Sequence, residues 1–375
     1  MLQIQKEIQK LGLNKVVSKY KLKLKDYPTK ILLKYDQIES KKYKGKQAVR
    51  EARGIILEKD TWKLLSLPFI RFFNLGEKEA DVLDWDSTMV HSKMDGSVIA
   101  LYWDYTQYKW CVQTSGTAEA DTPVPMDVYE FTFANVFWQA AENYLFNIET
   151  VNSKFNKDLI YVFELQTPYN RVVIHHDKCK LTLLTIRNQK TAQEIAHNKL
   201  FNELEKTGVS IPIVEARPFS AFKSLEDIVE FVNDQDGSTF EGFVLVDKNF
   251  QRIKIKSRQY VEFSLLSDKL NKLRNSKSSV VKIIQQGEQD EFLAIFQEHT
   301  ALIKEYEEKY NKMELKLQKA WLQVCKDFKI KSEKDYKNIV RKSYAIYLKN
   351  LLEVRNLDFS FPLFIGIMDD KEFNI

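Results

Sequence analysis

At 375 residues the chain has room for two or three domains, and 44% hydrophobic content with 13% aromatic residues excludes a disordered or fibrous protein. Cys111, Cys179 and Cys325 lie far apart in no metal-ligand spacing, and their odd number speaks against a disulfide framework, so they read as reduced and structural. The net charge of +5 permits a polyanionic partner without demonstrating one.

The chain opens on Met1-Leu2-Gln3-Ile4-Gln5-Lys6-Glu7, which reads as the start of an amphipathic helix and not as a leader, and no apolar run is long enough to cross a bilayer. A soluble protein with no membrane partner, located in the cytoplasm (of the host, if viral), is expected, with a monomer as the default. Short β-like signals follow at Arg53 to Leu57, Ser97 to Trp103, Trp110 to Gln113, Leu159 to Leu165, Arg171 to His175, Leu181 to Ile186, Gly242 to Val246 and Ile253 to Lys256. Helical patterns lie between them at Asp127 to Leu145 and Thr191 to Lys206. Alternating or continuous apolar strands broken by turns predict mainly antiparallel sheets.

The composition changes after Lys256: from Phe263 to Phe361 there is no proline and one glycine, Gly287. Phe292, Phe296, Ile303, Tyr306, Tyr310, Met313, Leu317, Trp321, Val324 and Phe328 recur at threes and fours, which predicts one long helix or a hairpin of two. Ser332 and Asp335 resemble an N-terminal cap for a further helix carrying Tyr336, Ile339, Val340, Tyr344 and Leu348. The predicted fold class is therefore α+β over residues 1–262, followed by an all-helical domain over 263–375.

The chemistry-bearing residues come in a fixed order: Lys93-Met94-Asp95-Gly96, Phe163-Glu164, Glu241-Gly242-Phe243-Val244 and Lys254-Ile255-Lys256. A lysine attacks phosphorus only as the free amine, so it needs neighbours that disfavour its charge. Lys254 and Lys256 alternate around Ile255, which on a strand puts both amines on one face, where they can neutralise a phosphate and act on the nucleophile; a solvated strand face is the blander reading. Asp95-Gly96 fits a tight turn, with Gly96 allowing a phosphate or sugar close to the backbone. Glu164 and Glu241, at strand ends, are candidates for a ribose hydroxyl or a magnesium ion, or else surface carboxylates. Arg53 and Arg71 can grip phosphates as forks, or snorkel over aromatic surface. His175-His176 has no third ligand at metal spacing and reads as an ordinary pair at a strand end. No Walker-type loop, G-x-S-x-G elbow or H-E-x-x-H helix is present.

These residues, with Glu51-Ala52-Arg53-Gly54-Ile55-Ile56-Leu57-Glu58, Pro68-Phe69-Ile70-Arg71-Phe72-Phe73-Asn74-Leu75 and Pro168-Tyr169-Asn170-Arg171, make the sequence resemble the covalent nucleotidyltransferase superfamily. Within it the likeness is to the bacteriophage T4 RNA ligase 1 family, over about residues 30 to 262. The resemblance implies a nucleotidyltransferase domain of ATP-grasp-like antiparallel sheets, and ATP and Mg²⁺ or Mn²⁺ as cofactors. It implies that Lys93 becomes lysyl-adenylate, that Arg53 acts on phosphates or the RNA end, and that Arg71 reaches the β- and γ-phosphates. It further implies Glu164 for the ribose or metal, Glu241 for the metal, Lys254 and Lys256 for the α-phosphate, Tyr35 for the nucleotide, and Asp95 and Gly96 in the nucleotide-binding turn. The chain departs from the family by having Arg71 where lysine is common, and Ser115 before Gly116 where the T4 enzyme is basic.

The implied activity is ATP-dependent joining of RNA 5′-phosphate and 3′-hydroxyl ends, with cleaved tRNA as a candidate substrate. Lys326, Lys329, Lys331, Lys334, Lys337, Arg341 and Lys342 would suit RNA phosphates or a solvated helix face, and Asp290-Glu291 is a candidate metal contact. Alternatives are a GTP-dependent RNA capping guanylyltransferase and an RNA-binding protein that has lost its chemistry.

Overall fold

The computed structural model describes residues 1–125 and 131–266 and, further on, 280, 283–284, 287–295 and 297–312. The chain divides into two compact units, Met1–Lys269 and Leu270–Ile375. The sequence-predicted boundary between residues 262 and 263 falls inside the last helix of the first unit, Arg258–Leu266.

In the first unit, α1 (Gln3–Leu11) and α2 (Leu13–Tyr20) lead into β1 (Leu22–Asp26) and β2 (Lys30–Tyr35). A short α3 (Gln47–Glu51) precedes β3 (Arg53–Glu58), β4 (Leu64–Ser66) and β5 (Phe73–Asn74). Then come β6 (Met89–Lys93), β7 (Ser97–Asp104) and β8 (Lys109–Gln113), followed by α4 (Phe133–Glu142) and α5 (Ile148–Lys154). The long pair β9 (Leu159–Gln166) and β10 (Lys180–Asn188) precedes α6 (His197–Glu205), β11 (Ala216–Pro218) and α7 (Leu225–Asp234). The unit ends in β12 (Gly242–Val246), β13 (Arg252–Lys256) and α8 (Arg258–Leu266).

The strands form three sheets, ordered β1-β2-β3-β4, β10-β9-β7-β8 and β11-β6-β12-β13-β5. Every named pair is antiparallel except β13 with β5. Side-chain alternation explains how the first two sheets stack. Leu32, Ile56, Ala100, Tyr102, Ile160 and Val162 share one core between them. Their odd-numbered neighbours face outward: Ile31, Leu33, Ile55 and Leu57 pack on α1 to α3, while Ile99, Leu101, Tyr161, Phe163 and Leu165 pack on α4 to α6. Strands covered on both faces have to be apolar throughout, which is why β9 reads as a continuous run. The third sheet carries α7, with Ile228 and Val232 against Val90, Leu245 and Ile253.

A buried ion cluster ties the second and third sheets. Glu194 accepts from Arg187 of β10 at 2.6 Å and from Arg252 of β13 at 2.8 Å. This cluster corrects the predicted helix over Thr191 to Lys206: α6 begins only at His197, because Glu194 is drawn into a bridge with Arg187. The predicted strand over Arg171 to His175 is likewise an irregular, bent segment, the Val173 and Ile174 amides taken by Asp95. Of the predicted helix over Asp127 to Leu145, Phe133–Glu142 is helical, with Thr132 as its cap, and residues 126–130 lie outside the described set.

In the second unit, α9 (Gln289–Ile295), a short 3-10 turn and residues 300–312 are helical. The periodic positions from Met313 onward, the Ser332 cap and the basic residues 326–342 lie outside the described residues. No described helix is long and apolar enough to cross a membrane. Cys111 is buried and Cys179 partly buried, both as free thiols, and Cys325 lies outside the described set.

Candidate active site

The third sheet brings three of the chemical motifs to one row. Lys93 is the last residue of β6 and pairs with Gly242, which pairs in turn with Lys256. Glu241 extends this ladder, its carbonyl accepting from the Ser257 amide at 3.0 Å. Within the row, Lys93 Nζ lies 2.6 Å from Glu241 Oε1, and Lys256 Nζ lies 3.6 Å from the same oxygen. The nearest charged atom to the candidate nucleophile is thus a carboxylate oxygen and not a second ammonium. Ile255, between the lysines, is buried in the core beneath, as strand alternation requires.

Glu164 approaches from the second sheet. On β9 it sits on the side of Ile160 and Val162, at the end of the layer between the first two sheets, and it is 6% exposed. Burial pushes its carboxyl up to about 8; Lys93 draws it down, while Glu241 and Asp95 push it further up. A carboxylate in these surroundings binds cationic or hydrogen-bonding partners to regain what it lost on leaving water.

The turn joining the two sheets is short. Gly96 lies against β9: a Cβ there would meet the Leu165 carbonyl oxygen at 2.5 Å and Glu164 Cγ at 3.1 Å. The close approach that requires glycine is therefore strand to strand. Asp95 is buried, and its carboxylate accepts from the amides of Val173 at 3.1 Å and Ile174 at 2.6 Å. His176 Nε2 donates to the Asp95 carbonyl at 2.8 Å, and Asn170 Nδ2 donates to Ser97 Oγ at 2.7 Å. The stretch from Pro168 to His176 thus clamps the turn that follows Lys93.

The remaining cations stand on aromatic rings. Arg53 and Lys254 both lie over Phe72, at 5.1 and 5.3 Å from its centroid. Arg71 lies over Tyr35 at 4.3 Å and over Phe73 at 5.2 Å, and its Nη1 is buried with no hydrogen-bond partner. Such an orphaned donor on a stacked, pre-oriented fork suits an anionic oxygen. Asp290 is on α9 in the second unit, and Lys93 is in the first.

Several residues at the site escaped the sequence reading. Tyr260, buried behind Lys256 at 5.8 Å, has its hydroxyl pushed well up by burial and by the nearby Glu241 and Asp95. Its spacing of four from Lys256 was the available signal. Lys34 gave none, since a strand lysine reads as solvent-facing, and His176 reads with His175 as an ordinary pair at a strand end.

Two antiparallel sheets and one mixed sheet with flanking helices form an α+β unit in which Lys93 lies against Glu241 and acts electrostatically on Glu164. Residues 51–260 match the RNA ligase family of the T4 RNA ligase 1 type, and the chain belongs to that family. It is 26% identical over 326 residues, 82% of this chain and 43% of the relative, to an Autographa californica nuclear polyhedrosis virus protein provisionally named a bifunctional polynucleotide kinase/RNA ligase. It is also 26% identical over 266 residues, 56% of this chain and 59% of the relative, to an RNA ligase of Rhodothermus phage RM378. The chain thus spans about half the length of the curated relatives it matches. Among solved structures, an archaeal ATP-dependent RNA ligase is similar with a TM-score of 0.45 and 11% identity, covering 79% of this chain and 81% of that one.

Proposed function

We propose that the chain is an ATP-dependent RNA ligase that joins a 5′-phosphate to a 3′-hydroxyl end through lysyl-AMP and RNA-adenylate intermediates. The observation that carries this reading is the row Lys93, Glu241 and Lys256 in a chain of the RNA ligase family, with Glu164 close enough to act on Lys93 electrostatically. The Lys93 amine attacks the α-phosphorus of ATP, forming a P–N bond as the bond to pyrophosphate breaks. The RNA 5′-phosphate then takes the AMP and releases the lysine, and a 3′-hydroxyl displaces AMP to form the phosphodiester. Splitting one displacement into steps lowers each barrier. Glu241 holds the amine in place between attacks, and Lys254, Lys256, Arg53 and Arg71 offset phosphate charge.

Glu164 and Glu241 would hold a divalent cation, Mg²⁺ or Mn²⁺, which when bound supplies further charge neutralisation at the phosphates. The donor set fits. Among the described residues no group of three metal-ligating side chains gathers, and magnesium uses one or two carboxylates with water and substrate phosphates. Glu164 is pushed up chiefly by burial and further by Glu241 and Asp95, so a cation bound beside it would favour its charged form. The segment after residue 262, whose sequence pattern predicts helices and which carries the basic stretch over 326–342, is the part we assign to RNA selection, with cleaved tRNA as the substrate class to try first.

The test is incubation with Mg²⁺ and α-labelled ATP or GTP beside Lys93→Ala, followed by denaturation. Retained label from ATP that vanishes in the variant is expected. Label from GTP would instead favour a capping guanylyltransferase, and absence of label a binding protein.

A further inference from the structure

The layer between the first two sheets ends in a cation that the ligation scheme above does not use. Lys34 lies on β2 in the same alternating row as Leu32, which is buried between the sheets. Its Nζ donates to Ser115 Oγ at 3.3 Å, and its register partner on β3 is Arg53. Among the described residues no carboxylate forms an ion pair with Lys34 or Arg53. Burial holds the Lys34 amine below the usual lysine range, and the nearby Lys23, Arg53 and Lys25 lower it further against the weaker pull of Asp36. A half-buried lysine facing an arginine, in ion pair with no described carboxylate, is a costly arrangement unless an anion completes it.

The surroundings are built to hold this group in place. Gly54, at φ +79°, leaves room for the Ser115 turn: a Cβ there would lie 2.9 Å from both Ser115 Cα and its carbonyl oxygen. Gln113 Nε2 cross-links the two segments, donating to the Gly54 carbonyl at 2.8 Å and the Thr114 carbonyl at 3.2 Å. The turn closes on itself through the Thr114 amide and the Thr117 carbonyl at 3.0 Å. Arg53 is held over Phe72, the ring that Lys254 of the candidate site also covers, which joins this corner to the site.

We propose that Lys34, with Arg53 and the Ser115 hydroxyl, forms a phosphate-binding subsite beside Lys93, Lys34 supplying from β2 the cation that residue 115 does not. The proposal rests on the ligase reading. The ligand chemistry is a phosphate group, which comes either from the polyphosphate of the nucleotide or from the 5′ end of the RNA.

The experiment uses the full chain and compares Lys34→Met, Lys34→Arg and the exchange Lys34→Ser with Ser115→Lys against wild type. Thermal melting checks that each folds. Two steps are then timed separately: labelling of Lys93 as a function of ATP concentration, and transfer of AMP from pre-adenylated protein to a 5′-phosphorylated oligoribonucleotide. Loss of a charge-assisted phosphate contact is expected to cost roughly 10- to 100-fold in one of these steps. Lys34→Arg and the exchange, which restore a cation, are expected to return most of it. A labelling defect that high ATP overcomes assigns the subsite to the polyphosphate; normal labelling with slowed transfer assigns it to the RNA phosphate. The proposal is overturned if Lys34→Met stays within about twofold of wild type in both steps, or if its loss is restored by neither cation-bearing variant. Wild-type protein that fails to label would overturn the ligase reading itself, and the subsite with it.

Discussion

Replacing Gly96 with alanine puts a methyl carbon 2.5 Å from the Leu165 carbonyl oxygen, where ordinary contact begins at 3.4 Å. Gly96 has no positive φ, so the cost comes from this contact and not from backbone strain. The obstacle is backbone, paired in register through Ser97 and Leu165, on a strand buried on both faces, so neither side yields freely. Relief requires a displacement of about 0.9 Å, and overpacking of this kind costs about 1–3 kcal/mol. That lowers the melting temperature by a few degrees at about 2–4 °C per kcal/mol. Because Glu164 Cγ is the next atom struck, at 3.1 Å, the displacement falls on the separation of Glu164 from Lys93. A misplacement near 1 Å at a reacting centre costs about a hundredfold in rate. Melting curves and the initial rate of ATP labelling read the two effects. Gly116→Ala is the control, since its Cβ would meet nothing within 4 Å and its φ is not positive. Gly96→Ala with wild-type melting and labelling, or an equal loss of stability in Gly116→Ala, would refute the reasoning.

Arg252→Met leaves Glu194 with Arg187 as its only strong cation in a buried setting, and a loss of about 2–4 kcal/mol is expected in urea unfolding. His91 titrates at about 3, held down by burial and then by His197 and Arg252, against an ordinary 6.5. A depressed folded pKa means that its neutral form is favoured on folding, so the associated stability is intact above pH 6.5 and is lost as pH falls toward 3. By linkage His91 costs about 2 kcal/mol at pH 5 relative to pH 8, and His91→Gln is expected to flatten that part of the stability profile. Arg71→Lys is expected to keep labelling with a higher ATP requirement, and Arg71→Met to weaken it about tenfold or more, because only the fork presents the buried Nη1; equal behaviour of the two variants would deny phosphate contact there.

Much of the architecture was legible because burial on two faces leaves a plain record. β3, β7, β9 and β12 appear as apolar runs, and the Lys254-Ile255-Lys256 alternation correctly put Ile255 in the core. The failures have local causes. Val172-Val173-Ile174 has strand-forming side chains, yet a single buried carboxylate, Asp95, captures the Val173 and Ile174 amides, and the segment bends instead of pairing. Thr191 to Ala196 continues a helical pattern, yet Glu194 gains two arginines by leaving it. β4, β5 and β11 are two or three residues long, too short for a periodicity. Of the site, the motif residues were visible as chemistry, while Lys34, Tyr260 and His176 matter through partners distant in sequence: Ser115, Asp95 and Glu241, and Asp95.

The division of the site between sheets bears on how it can work. Lys93 and Lys256 flank Gly242 in one hydrogen-bonded ladder that Glu241 extends, so the backbone positions of all three are set by register. Glu164 and the Lys34 and Arg53 corner belong to the other two sheets, Glu164 packed beside Gly96 of the turn after Lys93 and Arg53 over the Phe72 ring that it shares with Lys254. The proposed three-step reaction needs a lysine that is held constantly and phosphate contacts that are exchanged as pyrophosphate leaves and RNA enters. The ladder suits the constant part. The contacts across sheets, made through one turn, a stacked arginine and a lysine without an acid partner, suit the exchanged part, because small motions of one sheet against another alter them without disturbing the nucleophile.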